Sequence, residues 1–260
     1  MALYTVAAIV AAGFFLLLYM AFLAFGNNVV DHEMKFEKFP KSFGTLKIFF
    51  ISDIHRRTVS EKIIAAIKGK ADIVIIGGDL REKGVSLARV KSNILKLQSI
   101  APVYFVWGNN DYEGEYRDLD ALLLDLNVKI LDNTAARFES AEGDKFILLG
   151  VDDAGLNKDR LDLALSDAER GVFTVLVSHN PKIIGKIKPE DGISLLLSGH
   201  THGGQIRIFG FGPFKKGGID RVGGVVRLIS SGYGTTGVPL RLGVHSECHL
   251  IYLKHGNDSE

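Results

Sequence analysis

The chain has 260 residues, with 31 Lys and Arg against 30 Asp and Glu, 47% hydrophobic residues and a single cysteine. A formal net charge of +1 gives no electrostatic footprint for a nucleic acid, so no nucleic acid binding is expected, and the apolar content excludes intrinsic disorder. Cys248 alone can form neither an intrachain disulfide nor a cysteine-based zinc cluster.

The first charged side chain is Asp31, and between Ala2 and Phe25 only Thr5 and Gly13 interrupt an aliphatic and aromatic run. As a helix this run reaches roughly 36 Å, enough to cross a hydrocarbon core of about 30 Å. A cleaved signal peptide is the competing reading, since Ala24 and Gly26 offer small residues. The absence of Lys or Arg before the run, and its length, favour an uncleaved anchor over residues 1–26. Residues 27–44, spotted with Phe36, Phe39 and Phe43 and broken by Pro40 and Gly44, read as a juxtamembrane linker. Lys35, Lys38 and Lys41 follow the anchor and lean the domain after it towards the cytoplasm.

From Leu46 onwards short apolar runs alternate with helical patterns: LKIFFIS, VSEKIIAAIKGK, DIVIIGGD, VSLARVKSNILKLQSI, PVYFVWGNN, YRDLDALLLDL. That alternation implies crossover connections, parallel strands and the α/β class. ARFES and KFILLG read as a hairpin, KDRLDLALSDAER as an amphipathic helix, and FTVLVSHN and ISLLLSGHTH as two further buried strands. GQIRIFG, VVRLISSG and ECHLIYLK read as strands of a Gly-rich tail. Residues 45–260 therefore form one domain, two sheets flanked by helices.

Five of these strands each end in a polar motif: Asp53 and His55, Asp79, Asn109 and Asn110, His179, and His200 with His202. Ligands bind at the carboxyl ends of strands in open α/β sheets, so the motifs are expected to converge. The pairs Asp53/His55 and His200/His202 are spaced i, i+2 and project to one side of an extended chain. Two carboxylates, four imidazoles and an amide oxygen, without thiolate, suit Mn, Fe, Zn, Ni or Co better than Ca or Mg. With one carboxylate bridging, the set serves two divalent ions, the clamp used for in-line displacement at phosphorus.

The series SDIH, GGD, GNND, SHN and SGHTH resembles the calcineurin-like metallophosphoesterase superfamily from about Leu46 to His202. With the apolar helix and the extension GHTHGGQIRI, it is similar to the membrane-anchored bacterial branch, which includes phosphodiesterases and relatives of UDP-2,3-diacylglucosamine pyrophosphatases. The resemblance implies a four-layer αββα sandwich and a dinuclear site holding Mn, Fe or Zn. It implies that Asp53, His55 and His202 bind one ion, that Asn109, His179 and His200 bind the other, and that Asp79 bridges. The reaction implied is attack of a metal-bound hydroxide on a phosphodiester or pyrophosphate bond, lipid-linked and nucleotide substrates included. A phosphomonoesterase and a non-catalytic metal-binding scaffold are the alternatives. The family places His where Asn110 stands; that His is held to assist the leaving group, and an amide donates a hydrogen bond but no proton. Asp111 is expected to orient Asn110.

Arg56 and Arg57 flank the first motif and suit a substrate phosphate as well as a solvated loop. Gly232, Gly234 and Gly237 match a dinucleotide fingerprint without the helix it requires. Asp152 and Asp153 read as turn residues and Lys215 and Lys216 as solubilising a loop, with lipid head groups the second reading. His32, His245, His249, His255 and Cys248 read as structural.

Overall fold

A computed structural model describes residues 1–257. In chain order the elements are α1 (Ala2–Ala24), β1 (Asn28–Phe36), β2 (Thr45–Ile51), α2 (Glu61–Ile67), β3 (Ile73–Ile76), α3 (Leu87–Gln98), β4 (Val103–Phe105) and α4 (Tyr116–Asp125). There follow β5 (Lys129–Ile130), β6 (Thr134–Glu139), β7 (Lys145–Gly150), α5 (Leu161–Ser166), β8 (Phe173–Val177), β9 (Ile193–Ser198), β10 (Gly218–Val222), β11 (Val225–Ile229) and β12 (Glu247–His255). One sheet has the order β1-β12-β2-β3-β4-β5 and the other β10-β11-β9-β8-β7-β6, each mixing parallel and antiparallel pairs. The central strands are buried on both faces, which is why they read as unbroken Ile, Val, Leu and Phe rather than as an alternation.

Three apolar layers hold the sheets. Val90, Ile94 and Leu97 of α3 and Leu119 and Leu123 of α4 cover one sheet over Phe49, Ile51 and Val74. Between the sheets Ile48, Phe50, Ile75, Val175 and Leu197 meet, and Leu161 and Ala164 of α5 cover the far face over Ile147 and Leu149. Ser60 and Ser86 start α2 and α3 by accepting backbone N–H bonds from Lys62 and Arg89, the normal N-cap arrangement.

Residues 27–44 depart from the linker reading. Val29 to Phe36 pair in parallel register with Cys248 to His255, and Phe39, fully buried, lies edge-on to Phe173 at 5.2 Å. Phe43 packs on Phe146 at 5.2 Å, so these aromatics close the space between the two sheets. GQIRIFG also departs from expectation: Ile206 makes one bridge to Leu242 and Ile208 one to Phe211. Left-handed φ at Gln205 (50°), Phe209 (51°) and Gly210 (86°) breaks the extended run.

α1 is exposed over most of its length, yet its last turn is seated on the domain with Met20, Leu23 and Ala24 buried. The final carbonyls of a helix lack intrahelical donors, and the domain supplies them. Ser246 N–H donates to Leu23 O at 3.3 Å, and Arg241 N–H adds a bond to Met20 O, nearly one turn earlier, at 3.0 Å. The Arg57 guanidinium lies within hydrogen-bonding distance of the carbonyls of Ala24, Phe25 and Gly26.

Candidate metal centre

The ends of β2, β3, β4, β8 and β9 meet, and each delivers the polar residues that follow it. Asp53 Oδ1 lies 3.4 Å from His202 Nε2 and 4.0 Å from His55 Nε2, and the two imidazole nitrogens are 3.2 Å apart. Asp79 Oδ2 lies 3.1 Å from His179 Nε2, which is 3.3 Å from His200 Nδ1. The same Asp79 oxygen is 3.7 Å from His55 Nε2, so one carboxylate stands between the two triads. Each triad presents one donor atom per residue within 4.8 Å of the others.

The backbone is forced to make this arrangement. Asp53, His55, Asp79, His200 and His202 all have left-handed φ, between 48° and 73°, at a cost of about 1–2 kcal/mol each. Strain of that kind persists only where surrounding structure over-determines it. Gly78 permits the approach of β3 to β8, since a Cβ there would lie 2.6 Å from His179 Nδ1. Gly232, from the rejected dinucleotide pattern, packs against Asp53, where a Cβ would lie 2.8 Å from the Asp53 Cβ.

Hydrogen bonds aim the donors inward. His179 Nδ1 faces Gly77 O at 2.8 Å, which directs the lone pair of Nε2 to the centre. Asp79 Oδ1 accepts from the Asn110 N–H at 2.8 Å, leaving Oδ2 for the space between the imidazoles. His200 N–H donates to both Asp53 oxygens, at 3.0 and 3.2 Å.

Burial alone would raise the Asp53 carboxyl, but the imidazoles of His202, His179 and His55 outweigh it and hold it down to about 2. Burial pulls His179 down, and the Asp79 carboxylate beside it reverses the sign, to about 10. His202, penalised chiefly by burial, falls to about 4. The centre therefore keeps both carboxylates charged at neutral pH and holds a proton on His179 that a cation can displace.

The donor set fits a pair of divalent ions. Asn109 Oδ1 is buried without a hydrogen-bond partner, while its Nδ2 donates to Asn110 Oδ1 at 2.9 Å. A buried amide oxygen left unpaired costs about 1–3 kcal/mol, and a ligated cation removes that cost.

Two residues hold this centre without a motif to mark them. Glu82 Oε2 lies 3.1 Å from His55 Nδ1, the carboxylate–imidazole pairing that orients metal-binding histidines. Arg241, fully buried, donates through Nη2 to the carbonyls of Ser231 and Gly234, each at 2.6 Å. Its Nη2 also lies 3.4 Å from His202 Nδ1, so it packs the Gly232 loop under the first triad.

Asp111, Asn110 and Arg57 are held otherwise than expected, while Arg56, Asp152 and Asp153 are engaged as loop residues. Asp111 is a strut: its carboxylate accepts the N–H groups of Asp79, Arg81 and Gly108 at 2.8–2.9 Å. Asn110 is oriented instead by Glu113, to which its Nδ2 donates at 2.7 Å. Arg57 is committed to the end of α1, to Tyr233 O at 2.6 Å and to the Tyr233 ring 3.7 Å away. Arg56 is exposed and paired with Glu82. Asp152 is engaged by the Tyr112 hydroxyl at 2.8 Å, and Asp153 Oδ1 accepts the Leu156 N–H at 2.8 Å.

Two sheets whose strand ends bring one carboxylate between two imidazole-rich triads are those of a metal-dependent phosphoric ester hydrolase. The chain belongs to the calcineurin-like phosphoesterase family, whose model matches residues 46–204. It is 42% identical over 230 residues to the uncharacterized protein YpbG of Bacillus subtilis, covering 88% of each chain. It is 32% identical over 233 residues to an uncharacterized metallophosphoesterase of Helicobacter pylori, covering 80% of this chain and 59% of the relative. A transmembrane protein with metallophosphoesterase domain from Bos taurus is 31% identical over 253 residues, 87% of this chain and 57% of the relative. The chain thus spans a little over half the length of the latter two.

Proposed function

We propose that the protein is a membrane-anchored hydrolase of phosphodiester or pyrophosphate bonds, with Asp53, His55 and His202 holding one divalent ion, Asn109, His179 and His200 a second, and Asp79 both. The observation that carries this reading is the single Asp79 oxygen placed between His55 and His179, 3.7 and 3.1 Å away. Two bound ions lower the pKa of water and neutralise charge on the non-bridging phosphoryl oxygens.

The protein's own residues supply placement. The Gly77 carbonyl facing His179 Nδ1, the His200 N–H donated to Asp53 and the Glu82 carboxylate beside His55 Nδ1 hold the donors in place before substrate arrives, so little reorganisation is left for the reaction. Asn110 positions a phosphoryl or leaving-group oxygen by hydrogen bonding and transfers no proton. That favours leaving groups that depart without a general acid, such as phosphoryl or aryl oxygens, and hence pyrophosphates and activated diesters. α1 is long and apolar enough to cross a membrane, and its capped last turn fixes the centre beside the bilayer, where lipid-linked substrates reside.

The test is a panel of bis-p-nitrophenyl phosphate, p-nitrophenyl phosphate and a lipid-linked pyrophosphate with added Mn²⁺, run beside Asp79→Ala. Faster turnover of the diester and pyrophosphate than of the monoester, lost in the variant, supports the reading. Preference for the monoester makes the protein a phosphomonoesterase, and no metal-dependent turnover above the background of the variant makes it a scaffold.

A further inference from the structure

The segment after the last imidazole ligand carries an apolar tip that the domain itself does not use. Ile208 and Phe211 exchange both backbone hydrogen bonds at 2.9 Å, closing a two-residue turn of Phe209 and Gly210 with φ of 51° and 86°. Turns of this hand favour Asn, Asp or Gly at the first central position, and a bulky side chain there is strained. Phe209 occupies it while 96% exposed, and Phe211 and Phe214 are 82% and 51% exposed. Neither the turn nor solvent favours phenylalanine at this tip. The turn is also held rigid, because the Arg207 guanidinium donates to the carbonyls of Gly203, Gly210 and Phe214.

Its place in the fold says what covers it. Arg207 N–H donates to Leu242 O at 2.8 Å and Leu242 N–H to Gln205 O at 3.0 Å, while the adjoining Arg241 N–H donates to Met20 O at 3.0 Å. One extended segment, residues 241–242, thus links the turn to the last turns of α1. On that helix Tyr19 and Phe22 are 51% and 74% exposed, and Lys215 and Lys216 follow Phe214 as exposed residues. Exposed aromatics followed by lysines, joined to a spanning helix, have the composition of an element at the lipid interface, with rings among acyl chains and ammonium groups at phosphates.

We propose that the Ile208–Phe211 turn is a membrane wedge: Phe209, Phe211 and Phe214 enter the leaflet that adjoins the domain, beside α1, and Lys215 and Lys216 meet anionic head groups. With α1 it makes a second point of attachment, so the domain cannot swivel about its anchor and the His202 side of the metal centre stays turned to the lipid. This rests on the membrane-anchor reading of α1, and the test separates the two.

The full-length chain carrying Phe209→Cys is labelled with an environment-sensitive fluorophore; Cys248 is fully buried and stays unlabelled. Leu16→Cys in α1 and Glu142→Cys in the turn between β6 and β7 are labelled likewise, and all three are placed in nanodiscs with and without brominated acyl chains. The wedge predicts that bromolipid quenches the labels at 209 and 16, about twofold or more, and leaves that at 142 unquenched. Quenching at 16 without quenching at 209 leaves the anchor standing and overturns the wedge; quenching at neither overturns both. A shift at 209 that appears only with two chains per disc means that a second copy covers the turn, which also overturns the proposal. Phe209→Asn combined with Phe211→Ser is expected to leave hydrolysis of soluble bis-p-nitrophenyl phosphate unchanged and to lower anionic-lipid dependence of a lipid-linked substrate's KM about tenfold.

Discussion

Replacing Glu82 by Ala tests how the first triad is held. Its Oε2 stands 3.1 Å from His55 Nδ1, in a residue only 7% exposed, so no water can readily take its place. Carboxylates in this relation to a metal-binding histidine set the ring's tautomer and basicity, and losing one costs about 10–100-fold in metal affinity or activity, or about 1.4–2.7 kcal/mol. Because Glu82 touches His55 and no residue of the second triad in the contacts described, only one of two binding steps should weaken. Glu82→Gln keeps an oxygen that can accept from Nδ1 and should lose only a few-fold. Calorimetric titration of the metal-free protein with Mn²⁺ reads both steps, and a thermal melt establishes that the variant is folded. Two unchanged affinities in folded Glu82→Ala, or equal weakening of both steps, would refute the reasoning.

Other outcomes follow from particular contacts. Arg57→Met removes the donor that covers the carbonyls of Ala24, Phe25 and Gly26 where α1 ends; a loss of about 2–3 kcal/mol is expected with kcat on a soluble diester unchanged at temperatures well below the melt. Loss of kcat with an unaltered melting temperature would instead make Arg57 a phosphate clamp. Asn110→His should raise activity on alkyl esters more than on aryl esters, since a proton donor helps poor leaving groups most; equal gains on both would sink that assignment. His249 is held down to about 3 by burial, with His32 a lesser cause. Its neutral form is the folded one, so its contribution is full above about pH 6.5 and is lost as pH falls towards 3, reaching about 2 kcal/mol at pH 5. Denaturant melts of wild type and His249→Gln between pH 7 and 5 measure this; parallel pH slopes would count against it.

The residues that meet at the strand ends were legible because those ends concentrate polar side chains into short contiguous motifs. The buried strands were legible because both their faces are covered. What stayed hidden depends on contacts between distant segments. β1 is an edge strand with mixed burial, so its composition resembles a linker, and only its pairing with β12 makes it part of the sheet. Glu82 lies 27 positions after His55 with no motif of its own. Arg57 stood beside the first motif, yet its partners are the carbonyls of residues 24–26 and 233, the Ser246 and Asn27 side chains and the Tyr233 ring, all distant in sequence from that motif. Asp111 follows Asn110 in sequence while its carboxylate serves the backbone of β3's end and of Gly108. GQIRIFG has the alternation of a strand, and the left-handed residues around it turn it into a rim loop.

The central claim is that one bridging carboxylate unites two metal sites into one hydrolytic centre. Its most direct test follows hydrolysis of bis-p-nitrophenyl phosphate while metal-free protein, at concentrations far above its dissociation constants, receives Mn²⁺ in fractional equivalents. The account predicts activity that saturates at about two equivalents per chain and is absent throughout the same titration of Asp79→Ala. Saturation at a single equivalent, or activity retained without Asp79, would contradict it.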